Sequence, residues 1–185
     1  GSSLPYYGPD IEELVAVEPA TGLAQIGRSR LNQWSNERNT KASLIEQSAT
    51  WPLPVDAESF DSVVILFVLC SVERLDELLA QAHRALKPNG SIFLAEHVAA
   101  DKDPQPHPYR EKAQRIIRPA WRLALGGCDP HKSLDGVLER NGFDSSHLQH
   151  TELDLVWVVR SGLVGKAPKR LFRRISGYCP HDFAR

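Results

Sequence analysis

Phe60-Asp61-Ser62-Val63-Val64-Ile65-Leu66-Phe67, followed by Glu73 to Leu86, Lys87-Pro88-Asn89-Gly90 and Ser91 to Glu96, is the stretch whose reading decides the fold. The first run, rich in β-branched residues, is the strongest strand signal in the chain. Leu75, Leu78, Leu79, Ala82 and Leu86 then recur at three-and-four spacing, which predicts a helix over about 73–86. Lys87-Pro88-Asn89-Gly90 predicts its stop, and Ser91 to Glu96 reads at once as another strand. A strand, a helix and a strand in that order make a parallel crossover unit, because parallel neighbours need a connection of a dozen or more residues.

Toward the N-terminus, Glu12 to Glu18 predicts a short strand stopped by Pro19. A helix from Thr21 to Asn36, a weaker strand from Ser43 to Gln47 and a Pro-rich acidic loop from Trp51 to Ser59 follow. Toward the C-terminus come a polar insertion from Asp101 to Pro108, a helix from Tyr109 to Leu125 broken by Gly126-Gly127, and a short helix from Ser133 to Asn141 closed by Gly142. Two last strands, His147 to Leu153 and Gly162 to Lys166, have a connection too short for a helical crossover, so they should pair antiparallel. The expected class is α/β: a mostly parallel sheet finished by an antiparallel C-terminal hairpin.

The 185 residues, 42% of them hydrophobic and 24% charged, suffice for one globular core. A net charge of -1 gives no global attraction to polyanions, so nucleic acid is not an expected partner. Cys70, Cys128 and Cys179 are odd in number and far apart, which points to a reducing, cytoplasmic setting rather than a disulfide framework. No apolar run approaches a membrane span. The chain has no methionine and opens on Gly1-Ser2-Ser3, and we read it as cut from a longer sequence.

Several residue types carry chemistry. Glu18 ends the first strand, where open α/β sheets bind ligands and a carboxylate can accept both hydroxyls of a ribose; the competing reading is an exposed carboxylate before Pro19. Cys70, after an apolar strand, reads as a small buried hydrophobe rather than a nucleophile. Phe67 and Trp121 either wall a substrate pocket or belong to the core. Cys128-x-x-His131 with Cys179-x-His181 could supply two thiolates and two imidazoles to zinc, although the second spacing is tight. Lys166 to Arg174 holds five basic residues and no acid. That segment is either a solvated end or an attraction to an anionic lipid surface or acidic partner, a peripheral membrane association.

Gly1-Ser2-Ser3-Leu4-Pro5-Tyr6-Tyr7 followed by Val15-Ala16-Val17-Glu18-Pro19 resembles the second half of the cofactor site of Rossmann-like, class I S-adenosylmethionine-dependent methyltransferases. Pro52-Leu53-Pro54-Val55-Asp56-Ala57-Glu58-Ser59-Phe60-Asp61 and Arg84-Ala85-Leu86-Lys87-Pro88-Asn89-Gly90-Ser91 resemble two further segments of that family. A closer resemblance, to the thiol methyltransferases, is carried by Val68-Leu69-Cys70-Ser71-Val72, Glu96-His97-Val98-Ala99-Ala100, Pro119-Ala120-Trp121, Gly127-Cys128 and Leu138-Glu139-Arg140.

The resemblance implies a methyltransferase domain over 1–169, with its first strand and most of its glycine loop missing, and a basic tail over 170–185. It implies S-adenosylmethionine as cofactor, Gly1 as the last loop glycine, Glu18 and the adjoining Pro19 at the ribose, Ser48 and Ala49 at the adenine edge, and Leu66 and Phe67 lining the cofactor. A Ser stands at 48 where the family usually has an acid. The acceptor would be a small molecule, for which alkyl thiols are the model, with His97 as the candidate base or substrate contact and Phe67 and Trp121 beside the substrate. The family predicts no metal, and none is assigned. Two other readings stay open: a nicotinamide-dependent oxidoreductase using Glu18, and a truncated domain without catalysis.

Overall fold

The computed structural model describes residues 3–102 and 107–170 and divides into two compact units, Gly1–Pro54 and Val55–Arg185. In the first, β1 (Glu13–Val17) and β2 (Lys41–Ile45) pair in parallel, from Glu13 opposite Lys41 to Val17 opposite Ile45. The crossover is α1 (Thr21–Arg38), which ends where Asn39 turns left-handed at φ 51° and Thr40 N–H donates to Ser35. Asn tolerates that conformation better than most residues. Leu31 and Trp34 of α1 and Leu4 are buried together, packed on Leu14 and Ala16 of β1 and Ala42 and Leu44 of β2. The weaker strand thus begins two residues earlier than the sequence suggests.

The second unit is built on a four-stranded sheet in the order β3-β4-β6-β5. Here β3 is Phe60–Leu66, β4 Leu86–His97, β5 Leu148–Glu152 and β6 Ser161–Pro168. The β3–β4 pair is parallel and joined by α2 (Leu75–Ala85); β6 runs antiparallel to both β4 and β5, so the hairpin folds back to put the last strand inside. Leu75, Leu78, Leu79, Ala82 and Ala85 form the buried face of α2.

Two features differ from the sequence expectation. Lys87-Pro88-Asn89-Gly90 stops the helix but belongs to β4 as a wide bulge: Phe60 faces Leu86 while Ser62 already faces Ser91. A Cβ on Gly90 would lie 2.8 Å from Leu86 Cδ2 and 3.1 Å from Asp61 O, so the bulge needs glycine there. The helix expected over Ser133 to Asn141 shrinks to α4 (Val137–Arg140), because Gly136 takes φ 63° immediately before it. In β3, Val64 and Leu66 are 40% exposed.

The long helix α3 (Pro108–Ala124) docks through polar side chains. Gln114, fully buried, accepts from Ala100 N–H at 2.9 Å and donates to the carbonyls of Val98 and Val158. Buried Arg110 reaches Ser161 Oγ and Glu152. Lys169, counted in the basic segment by sequence, has its side chain 7% exposed, with Nζ donating to Leu86 O at 2.7 Å. Arg170 pairs with Asp144, and the remainder of the tail, 171–185, lies outside the described residues. Among the described residues no helix is long and apolar enough to cross a membrane.

Candidate functional site

Each unit presents sequence-predicted residues at the C-terminal ends of its parallel strands, the end at which open α/β sheets take ligands. In the first unit, Glu18 follows β1 directly. Its N–H donates to Ile45 O at 3.0 Å, extending the β1–β2 ladder by one bond, and its Oε1 accepts from Ala20 N–H at 3.0 Å, at the start of α1. Glu18 is partly buried and Pro19 is exposed. Ser48 and Ala49 lie just past β2 in a turn closed by Trp51 N–H on Ser48 O, with Ser48 Oγ and Thr50 Oγ1 2.8 Å apart. Glu18 and the Ser48 turn therefore leave the same end of one strand pair. Gly1 lies outside the described residues.

In the second unit, β3 ends in Leu66 and Phe67, 40% and 45% exposed. Phe67 adopts φ 55° while its N–H donates to Ala95 O at 2.9 Å. A bulky aromatic residue in the left-handed region is strained, and strain of this kind collects where a chain must turn sharply at a site. The turn is held from the neighbouring strand. Glu96, fully buried near the end of β4, accepts the N–H groups of Val68 at 2.6 Å, Leu69 at 2.9 Å and Cys70 at 3.3 Å. Burial pushes its carboxyl pKa up, and the three N–H bonds oppose that rise.

His97 is 5% exposed. Its Nε2 sits 3.0 Å from Cys128 Sγ, and its Nδ1 is buried with no hydrogen-bond partner among the described residues. Burial lowers its pKa, which favours the neutral ring. Trp121 Nε1 also approaches Cys128 Sγ, at 3.4 Å, and Cys70 Sγ lies 3.9 Å from the same sulfur. Burial pushes the Cys70 thiol up to about 12. The structure thus gathers His97, Trp121, Cys70 and Cys128. It does not join Cys128 to His131, whose Nε2 lies 3.1 Å from Glu111, and Cys179 and His181 lie outside the described residues.

Beside this cluster opens a polar cavity of about 280 Å³, lined by Cys70, Ser71, Arg118, Arg122, Asp129 and Lys132 among others. Its cations are already engaged: Arg118 with Asp129 at 2.6 Å, Arg122 with Glu73 at 3.0 Å, and Lys132 with the Val72 carbonyl at 3.0 Å. Burial alone would raise the Asp129 carboxyl, but Arg118 and the His131 N–H outweigh it and hold it below the ordinary range. Sequence reasoning missed Glu96 and Asp129. A signal was present for Glu96, an acid in an apolar strand, since a buried carboxylate must find several donors.

Comparisons with known proteins show the family and the fold. Residues 1–94 match the family described as methyltransferase domain. Human thiol S-methyltransferase TMT1A is 36% identical over 112 residues, 60% of this chain and 44% of that protein. The ubiquinone/menaquinone biosynthesis C-methyltransferase UbiE of Rhodopseudomonas palustris is 29% identical over 116 residues, 62% of this chain and 44% of that protein. The chain therefore spans less than half the length of these relatives. Among solved structures, YcgJ of Bacillus subtilis superimposes with TM-score 0.68 at 14% identity, covering 92% of this chain and 88% of that one. A SAM-dependent methyltransferase of Methanosarcina mazei gives TM-score 0.65 at 15% identity, covering 86% and 82%. These structural likenesses establish a Rossmann-like methyltransferase fold, and with the match over 1–94 the chain belongs to the methyltransferase-domain family.

Proposed function

We propose that this protein takes part in methyl transfer from S-adenosylmethionine to a small-molecule acceptor, with an alkyl thiol as the first acceptor to consider. The observation that carries the reading is Glu18: a partly buried residue directly after a parallel strand, whose carboxylate meets solvent and, among the described residues, gives Oε1 to a short local contact. Such a carboxylate fits vicinal hydroxyls. Ser48 and Thr50 add hydroxyls past β2, at the same end of the strand pair, so this donor and acceptor set suits an adenosyl group. The cofactor supplies a methyl group on a sulfonium. Thiol acceptors are favoured by the names of the TMT1A and TMT1B relatives, whereas UbiE transfers to carbon by its name.

In this reading Glu18 fixes the ribose and the Ser48 turn bounds the base. Methyl transfer from a cation to a thiolate disperses charge, so alignment in an apolar setting contributes more than a strong base. A small thiol with a pKa near 8.5 ionises enough by itself. His97, engaged with Cys128, is not required to remove that proton. The basic residues beyond β6 remain a candidate contact for an anionic membrane surface, with Lys169 excluded because its ammonium is consumed inside the sheet.

Calorimetric titration of the chain with S-adenosylmethionine and S-adenosylhomocysteine tests the proposal. Binding that weakens by about tenfold or more in Glu18→Ala supports it, and a screen opening with small thiols then identifies the acceptor. Absence of binding to either compound, or binding of a nicotinamide dinucleotide instead, sinks it.

A further inference from the structure

Cys70, His97 and Cys128 come from three separate places: the loop after β3, the end of β4 and the turn after α3. Their ligating atoms all lie within 4.8 Å of one another. We propose that these side chains form a zinc site, two thiolates and one imidazole with the fourth position open to water or to a further soft donor.

The separation of the two sulfurs suits a metal. A tetrahedral ion with zinc–sulfur bonds of about 2.3 Å holds two sulfurs about 3.8 Å apart, and the Cys70 and Cys128 sulfurs stand 3.9 Å apart. That is too far for a disulfide. His97 Nε2 stands 3.0 Å from Cys128 Sγ, a hydrogen-bond distance, and a tetrahedral zinc ion would hold that nitrogen and sulfur about 3.5 Å apart, so the imidazole swings outward slightly to complete a three-ligand set.

Charge selects the ion. Two thiolates and a neutral imidazole around Zn²⁺ sum to zero, which a site with Cys70 and His97 both nearly inaccessible can bury. A monovalent soft ion such as Cu⁺ would leave a net negative charge beside the Glu96 carboxylate, which binds the Cys70 N–H. Two-cysteine, one-histidine zinc with an open position is an established ligand pattern.

The surroundings hold the ligands in place before any ion arrives. Glu96 fixes the backbone of residues 68–70, and Asp129 N–H donates to Cys70 O at 3.0 Å, which ties Cys128 to Cys70 through their neighbours. Trp121 Nε1–H reaches Cys128 Sγ at 3.4 Å and Ser71 Oγ reaches Cys70 Sγ at 3.6 Å, placing one donor at each sulfur. Donors of this kind stabilise thiolate charge in metal centres. Nothing in this arrangement depends on cofactor binding, so the zinc proposal and the methyl-transfer proposal stand or fall separately.

The test is titration of the full chain, reduced without thiol reagents, with Co²⁺ as a spectroscopic stand-in and then with Zn²⁺ as competitor. The expected result is one Co²⁺ per chain, with thiolate charge-transfer absorption and tetrahedral visible bands that Zn²⁺ removes. Cys128→Ser and His97→Gln should each weaken binding by about a hundredfold or more, while Cys179→Ser leaves it unchanged. Because Cys128 is only half-buried, its serine variant should keep the far-ultraviolet dichroism of the parent. The proposal is overturned if no charge-transfer band appears, if folded Cys128→Ser retains it, or if only Cys179→Ser abolishes it.

Discussion

Glu18 and Glu96 are the same residue type at or just past the C-terminal end of a parallel strand, yet the two ends are organised in opposite ways. Glu18 follows β1, half-buried, with one local hydrogen bond to Ala20 N–H. Glu96 sits near the end of β4, fully buried, with its oxygens given to the N–H groups of residues 68, 69 and 70. A carboxylate whose lone pairs are taken by its own backbone has nothing left for a ligand, whereas one with spare acceptor capacity near solvent does. Position along a strand therefore nominates an acid for binding, and its donors decide.

Removing Glu96 is the severest way to probe this contrast. In Glu96→Ala three backbone donors around a buried loop lose their acceptor, and chemical denaturation should show a loss of at least about 3 kcal/mol. Glu96→Gln keeps an oxygen for Val68 and Leu69 but turns an amide toward Cys70 N–H, for an expected loss of about 1–2 kcal/mol. A wild-type stability for either variant would mean that the loop is held by something else. Phe67→Gly comes next, with the opposite sign: relief of the left-handed aromatic should stabilise the chain by about 0.5–1 kcal/mol. Destabilisation instead would show that the Phe67 ring packs productively.

Glu18→Ala should change the unfolding midpoint little, by about 0.5 kcal/mol or less, so that a fall in cofactor affinity reports binding and not folding. A large stability loss there would erase the distinction between the two glutamates. The smallest effect expected is on acid stability. Asp76 is held below the ordinary carboxylate range by Asn141 and Arg140, and Asp144 by Ser146 and Arg170. A carboxyl lowered in the folded state adds stability that is fully present above its unfolded pKa and fades as pH falls through the folded one. Denaturation midpoints should therefore drop below about pH 4, and Asp76→Asn should flatten that fall slightly.

The crossover pattern was readable because α2 needs only its own leucine spacing and β3 and β4 only their own apolar runs, all local properties of the chain. The antiparallel finish was readable for a similar reason, a connection too short for a helix. The bulge at 87–90 was not, since it arises from how Leu86 and Ser91 register against β3. Nor was the docking of α3, where Arg110 and Gln114 are buried because carbonyls of distant segments come to meet them. Glu18 stood out from its place after a strand. The Cys128 partner did not, because the sequence offered His131 three residues away while the fold supplied His97 and Cys70 from 31 and 58 residues away.

By itself the sequence determined the element types, the parallel crossovers and the family, since periodicity, glycine and proline punctuation and short motifs act within a few residues along the chain. Only the tertiary structure decided which side chains meet: Glu96 with the loop after β3, Lys169 with the β4 carbonyl at Leu86, and two cysteines with one histidine. The physical reason is that hydrogen bonds and ligand distances act over a few ångströms in space, and the chain brings those atoms together only after the sheet has fixed its strand order and register.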